Sequence, residues 1–389
     1  MLRRAIAVAS LALILIAMQV SAAATAPSQR LRARDLGIPF DGTPGPFNAI
    51  TDVKGVEVGH RTLISGSGPL KVGVGPVRTG VTAILPRGKN SNDAVFAGWF
   101  TENGAGEMTG TTWIEDSGFL DGPVMLTNTH SVGVVRDAVI AWKVKQGVPD
   151  PEGYWWSAAV VAETWDGYLN DINGFHVHPE DAFYALDTAH SGVVDEGNVG
   201  GGTGMVCNEF KGGIGTSSRV LDAKAGGYTV GVLVQCNYGT RDELRIAGVN
   251  VGREIPEHTV WKEDLGSIIV IVATDAPLNP TQLKRVARHV ALGLARNGSF
   301  GGNGSGDIFL AFSTANPGAI SPNGPHQVTL LANDSLDPIF LATVRASEEA
   351  VINAMVAAET MTGIGDRTVI ALPHERLREV LKKYNRLTK

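Results

Sequence analysis

Apolar runs and helical periods alternate along the chain and predict most of its secondary structure. Continuous apolar runs read as strands at Gly80 to Leu85, Gly122 to Leu126, Tyr228 to Gln235, Ser267 to Ala273 and Ile308 to Phe312. The helical period is clearest from Pro280 to Asn297, where Leu283, Val286, Ala287, Val290 and Leu294 fall on one face. Pro280 suits the first helical position there, and Gly298 suits the stop. A second helix is expected from Val134 to Gln146, with Val135, Ala138, Val139 and Trp142 inward and Gly147 ending it. Pro179 to Thr188 and Ser347 to Met361 carry the same period. Ser347 is the expected N-cap of the latter, with Glu348 and Glu349 favouring the helix dipole. Strands mixed with helices predict a layered α/β domain. Periodicity does not choose among the layered arrangements.

The ends change the picture. Arg3 and Arg4 precede an apolar run from Ala5 to Val20, followed by the small residues Val20-Ser21-Ala22 and Ala24-Thr25-Ala26. This is the pattern of an export signal over residues 1–26, cut after Ala22 or Ala26. The run is shorter than the roughly 20 residues that span a bilayer. A soluble, periplasmic mature chain with no membrane association is therefore expected, residues 27–389 forming one catalytic domain. Net charge is −6, and no basic cluster lies outside the signal and the charged C-terminal tail, so nucleic acid has no electrostatic footprint here. The tail from Glu375 to Lys389 reads as a solvated helix. The 48 glycines follow no period and point to strands joined by tight turns, with close backbone approach around a site. Cys207 and Cys236 either pair in an oxidising compartment or stay as buried thiols.

One junction carries chemistry. A polar loop from Glu254 to Gly266 runs into Ser267-Ile-Ile-Val-Ile-Val, so a serine opens an apolar strand directly behind a glycine. If the Gly266–Ser267 bond breaks, Ser267 becomes an N-terminus bearing both a hydroxyl and an α-amine. Such an amine titrates near ~8 and can act as a base close to neutral pH. Gly-Ser is also a common turn-to-strand junction, and the wider sequence decides between the two. Gly266-Ser-Ile-Ile-Val-Ile-Val-Ala-Thr-Asp-Ala-Pro-Leu278 resembles the cleavage segment of the β-peptidyl aminopeptidase and D-aminopeptidase family of self-processing N-terminal-serine hydrolases. Arg34-Asp-Leu-Gly-Ile-Pro-Phe, Asn48-Ala-Ile-Thr-Asp-Val, Gly55-Val-Glu-Val-Gly-His60 and Arg78-Thr-Gly-Val-Thr-Ala-Ile resemble its N-terminal segments. Glu107-Met-Thr-Gly-Thr-Thr-Trp113, Thr127-Asn-Thr-His130, Glu163-Thr-Trp-Asp-Gly, Gly201-Gly-Thr-Gly-Met and Gly304-Ser-Gly-Asp-Ile-Phe continue the likeness in order, from about residue 32 to the C-terminus.

The resemblance implies an α/β/β/α sandwich, like other N-terminal-nucleophile hydrolases but with its own topology. It also implies processing into 27–266 and 267–389, with Ser267 as nucleophile. Serine needs a group to take its proton, and no Gly-x-Ser-x-Gly elbow is evident. The family places a second serine and an acidic residue two positions later; here these are Ser305, which follows Ser267 by 38 residues, and Asp307. The family pattern has Glu where this chain has Asp307, one methylene shorter. Asn237 matches the oxyanion-hole asparagine, although in isolation an Asn at a strand end is an ordinary turn former. Glu163 matches the acid that holds the substrate's amino group, and Trp165 stands where relatives carry an aromatic residue, making it an expected pocket wall. Asn128 and His130 are expected to scaffold that loop. His176 and His178 are adjacent enough to suggest a metal pair but lack a third partner in the sequence, and the resemblance implies no cofactor. The expected partners are short peptide or amide substrates and copies of the processed heterodimer, in a tetramer. An acyltransferase and an uncleaved periplasmic binding protein are the alternatives.

Overall fold

A computed structural model describes residues 30–147, 156–261, 266–321 and 324–388; the expected signal, residues 1–26, lies outside them. Leu31–Lys389 forms one unit built on two facing sheets. The smaller sheet has four strands, β1 (Glu57–Ser65), β2 (Val77–Leu85), β5 (Val124–Asn128) and β6 (Val160–Thr164), in the order β1-β2-β5-β6. The larger has six, in the order β4-β3-β10-β9-β8-β7. These are β3 (Val95–Gly104), β4 (Phe119–Leu120), β7 (Gly213–Val220), β8 (Thr229–Asn237), β9 (Ser267–Thr274) and β10 (Gly306–Ser313). Strands β9 and β10 run parallel, joined by a crossover helix, while β8 runs antiparallel to β9.

Helices cover the outer faces. Along β9, Ile269, Ile271 and Ala273 point into the layer between the sheets, where they meet Ile84, Leu126, Val160 and Ala162. Ile268, Val270 and Val272 point the other way, towards Pro280–Arg296 and Asp337–Val356. Both faces are buried, which is why the strand reads as an unbroken apolar run. Each such side chain contributes on the order of 1.5–3 kcal/mol on leaving water. On the outer face of the smaller sheet, Val81, Ala83, Met125 and Val161 pack against Val132–Lys145 and Pro179–Asp187. The result is the α/β/β/α sandwich.

Two helices differ from expectation. The helix expected to begin at Ser347 runs over Asp337–Val356, so Ser347 is a buried interior residue and not a cap. Pro338 stands in its first turn, and burial on nearly every side erases the polar face that would have marked the beginning. Glu349 serves no dipole; it sits fully buried between Arg34 (2.7 Å) and Arg219 (2.6 Å). The C-terminal helix His374–Lys383 is solvated on one face only, since Leu377, Val380 and Leu381 are buried.

Candidate active site

Strand pairing brings the candidate residues to one edge of the sandwich. Ser267 opens β9 directly opposite Asn237, which closes β8. Ile268 lies opposite Asp307 of β10. From the facing sheet, Glu163 and Thr164 end β6, and Trp165 follows. A polar bridge ties the sheets together here: Gln235, two residues before Asn237, donates to Thr127 O (2.9 Å) and Thr164 Oγ1 (2.8 Å).

Around Ser267, the Gly306 N–H donates to its Oγ at 3.0 Å. Ser305 Oγ donates to Asp307 Oδ1 at 2.5 Å, and the Ile268 N–H donates to the same oxygen at 3.2 Å. Ser267, Ser305 and Asp307 are all buried. The shorter acid therefore reaches both Ser305 and the backbone beside Ser267. Gly266 packs its Cα against the Asn237 carbonyl, where an added Cβ would overlap backbone. Only glycine lets the chain pass that close.

Asn237 is 1% exposed and its amide has a fixed sense. Its Oδ1 accepts from Val206 N (2.7 Å) and its Nδ2 donates to Trp165 O (3.0 Å). A flip would set carbonyl against carbonyl and donor against donor. An amide nitrogen carries two hydrogens, so one remains for charge developing beside Ser267. Trp165 contributes here through its backbone; its indole is 40% exposed at the rim.

Glu163 is 3% exposed, accepting from Glu107 N (3.0 Å) and Thr129 Oγ1 (2.5 Å). Burial pushes its carboxyl above the usual range, while those two hydrogen bonds pull it back down. Gly106 lies between it and Gly306, the residue whose N–H reaches Ser267. A Cβ on Gly106 would lie 3.4 Å from Glu163 Oε1 and 3.2 Å from Gly306 Cα. The arrangement thus brings a serine hydroxyl, a serine–carboxylate pair, a side-chain amide and a second buried carboxylate to one edge of the sandwich. That is the equipment of amide hydrolysis at a free amino end.

A family model for peptidase family S58 matches residues 48–369. The chain belongs to peptidase family S58. It is 56% identical over 382 residues to the β-peptidyl aminopeptidase BapA of Sphingosinicella microcystinivorans, covering 94% of this chain and 95% of that protein. Among solved structures, it resembles the L-aminopeptidase D-Ala-esterase/amidase of Ochrobactrum anthropi, a prototype serine aminopeptidase with a variant of the Ntn-hydrolase fold. That likeness has a TM-score of 0.85 and 50% identity over 92% of this chain and 99% of that one. A β-aminopeptidase from a Burkholderia species matches with a TM-score of 0.83 and 48% identity, over 91% and 99% of the two chains. The S58 chain is a serine aminopeptidase, and the alternative of a non-enzymatic binding protein falls away.

Other parts of this S58 peptidase complete the picture. Asn128 donates to Thr79 Oγ1 (2.8 Å) and Asp166 Oδ2 (3.1 Å), and Asp166 also accepts from Asn170 (3.0 Å). Burial pushes the Asp166 carboxyl up to about 6, against the pull of those donors. This network lies under the turn that carries Trp165. His130 stacks on Phe175 at 6.0 Å. His176 is engaged with Asp171 at 2.9 Å, and His178 occupies the N-cap of Pro179–Asp187, where its N–H donates to Asp181. Cys207 and Cys236 are joined in a disulfide. The pattern of side chains gave no sign of Thr129, or of the N–H groups of Glu107, Val206 and Gly306. Three of these four act through backbone atoms, which any residue type supplies.

Proposed function

We propose that this peptidase is exported, cuts its own Gly266–Ser267 bond, and then releases N-terminal residues, β-amino acids foremost, from short peptides, amides or esters. The observation that carries the reading is the meeting of Ser267 Oγ, the Gly306 N–H, the Ser305–Asp307 pair and the Asn237 amide at the bond after Gly266. In maturation, Ser267 Oγ attacks the Gly266 carbonyl carbon and its proton passes to the Ser267 nitrogen. The C–N bond breaks to leave an ester, which water hydrolyses. Gly266 keeps a carboxylate, and Ser267 gains an α-amine that the intact amide could not provide as a base.

In turnover that amine accepts the Ser267 hydroxyl proton while Oγ attacks the substrate's first carbonyl. Asn237 donates to the oxyanion, and Ser305 with Asp307 fixes the proton path. The leaving amine departs with a proton, and water releases the acyl group. Glu163 holds the substrate ammonium. The preference for β-residues is supported by the 56% identity to a β-peptidyl aminopeptidase, while the Ochrobactrum neighbour keeps D- and L-residues in view. Turnover of β-homoamino-acid, D-Ala and L-Ala amides, measured side by side, tests it; faster turnover of either α-residue amide overturns the β preference. A tetramer of processed heterodimers belongs to the same reading and is tested by mass in solution. Nothing in the site favours an acyltransferase.

Glu163→Gln is expected to raise KM about tenfold to a hundredfold with a smaller change in kcat, because a neutral amide cannot pair with the ammonium. The pH dependence follows from the raised carboxyl. Substrate binding needs the ionised form, so kcat/KM falls as pH drops through a value above the ordinary carboxylate range. That limb should vanish in Glu163→Gln. An unchanged KM would remove Glu163 from substrate binding.

A further inference from the structure

A two-residue turn outside the site has an unusual conformation. Val206–Cys207 pairs with Phe210–Lys211 across Asn208 and Glu209, whose φ values are 47° and 60°. Both are left-handed, as the tightest hairpins require, and the second position of such a turn is usually glycine. A glutamate there is strained. The residue is 3% exposed, and its carboxylate is fully engaged. Oε1 accepts from Arg241 N (2.9 Å), and Oε2 accepts from Val260 N (2.7 Å) and Trp261 N (3.3 Å). The Arg241 side chain completes a clamp. It lies 3.2 Å from the centre of the Phe210 ring and donates to the carbonyls of Asn208 (3.0 Å), Glu209 (2.7 Å), Ile255 (2.9 Å) and Glu257 (3.0 Å). The stretch from Ile255 to Trp261 is thus gripped at four backbone points, and Trp261 sets its ring edge-on to Tyr168 at 5.5 Å.

Residues 262–265, which lie outside the described ones, connect that stretch to Gly266. Attack within a chain needs the carbonyl carbon about 3–3.5 Å from the oxygen, with the peptide plane held. Strand β9 holds the downstream side of the bond, and the Asn237 carbonyl confines Gly266 itself. We propose that Glu209 is a positioning residue for maturation: by anchoring Val260 and Trp261 it holds the upstream side of the Gly266–Ser267 bond while Ser267 attacks. The inference rests on the self-cleavage reading. The same anchor then retains the new C-terminal end of the first fragment.

The test is pulse-labelled synthesis of the full chain as wild type, Ser267→Ala and Glu209→Gln, with the two fragments followed over time. Glu209→Gln should mature about tenfold or more slowly. Once fully cut, it should show kcat and KM within about twofold of wild type. Cutting at the wild-type rate overturns the proposal, as does a parallel fall in maturation rate and kcat, which marks a merely structural role. If Glu209→Gln is insoluble, Val260→Pro decides: it removes one N–H from the anchor, leaves Glu209 in place, and should slow maturation likewise. Wild-type cutting in Val260→Pro sinks the proposal. An uncut wild type defeats the self-cleavage reading and this inference with it; a cut wild type matched by Glu209→Gln defeats this inference alone.

Discussion

Ser267→Ala is expected to remain a single chain and to lose turnover by at least about four orders of magnitude. Both effects have one cause. On the proposed reading, the hydroxyl that attacks Gly266 in maturation is the hydroxyl that attacks substrate, and the amine that serves as base exists only after the first attack. Folding does not explain the loss. The side chain accepts one hydrogen bond, from Gly306, and removing it costs about 1 kcal/mol, a few degrees of melting temperature at most. The check is a denaturing gel beside an amide-hydrolysis assay, with melting followed on the same sample. A variant that still divides into two fragments would assign the cut to another group.

Asn237→Ala carries the next largest effect, a fall of about 10²–10³ in kcat with KM nearly unchanged. In the proposed role the donor acts on charge that appears only as the carbonyl is attacked, so substrate binding is spared. This substitution also costs stability, unlike the first. Val206 N–H and Trp165 O lose their partner in a buried setting, at about 1–3 kcal/mol each. Reduced melting temperature should therefore accompany reduced kcat. The kinetic comparison uses protein whose cut is complete. A kcat within threefold of wild type would place the oxyanion elsewhere.

Much of this was legible in the chain, for identifiable reasons. The Pro280–Arg296 helix was read to within one residue because a narrow apolar stripe, an opening proline and a closing glycine all agree. Strand β9 was legible because burial on both faces leaves no polar position. The Asp337–Val356 helix was misplaced at its start for a related reason: all-round burial removes the period, and Ser347 with Glu348 and Glu349 then imitates a cap. Glu349 answers to Arg34 and Arg219, hundreds and scores of positions away, and no local pattern carries that.

The site divides along a similar line. Ser267 could be noticed because a serine behind glycine at the head of a strand has a chemical consequence, but Gly-Ser is a common junction and the family resemblance was needed to choose that reading. Asn237, Glu163, Ser305 and Asp307 gained their proposed roles only through family resemblance, and the fold places them on one edge. The disulfide was left open by sequence and is settled by strand β8 and the 206–211 hairpin lying side by side. What remained hidden were contacts made by backbone N–H groups and by Thr129, which is 34 residues from Glu163. Their positions depend on how the two sheets face each other, which residue type does not record.

The most direct measurement is the intact mass of the purified wild-type protein under denaturing conditions. Two polypeptides are predicted, the smaller beginning at Ser267 and ending at Lys389. A single polypeptide running through Gly266–Ser267, in a preparation that hydrolyses amino-acid amides at full rate, would contradict the account.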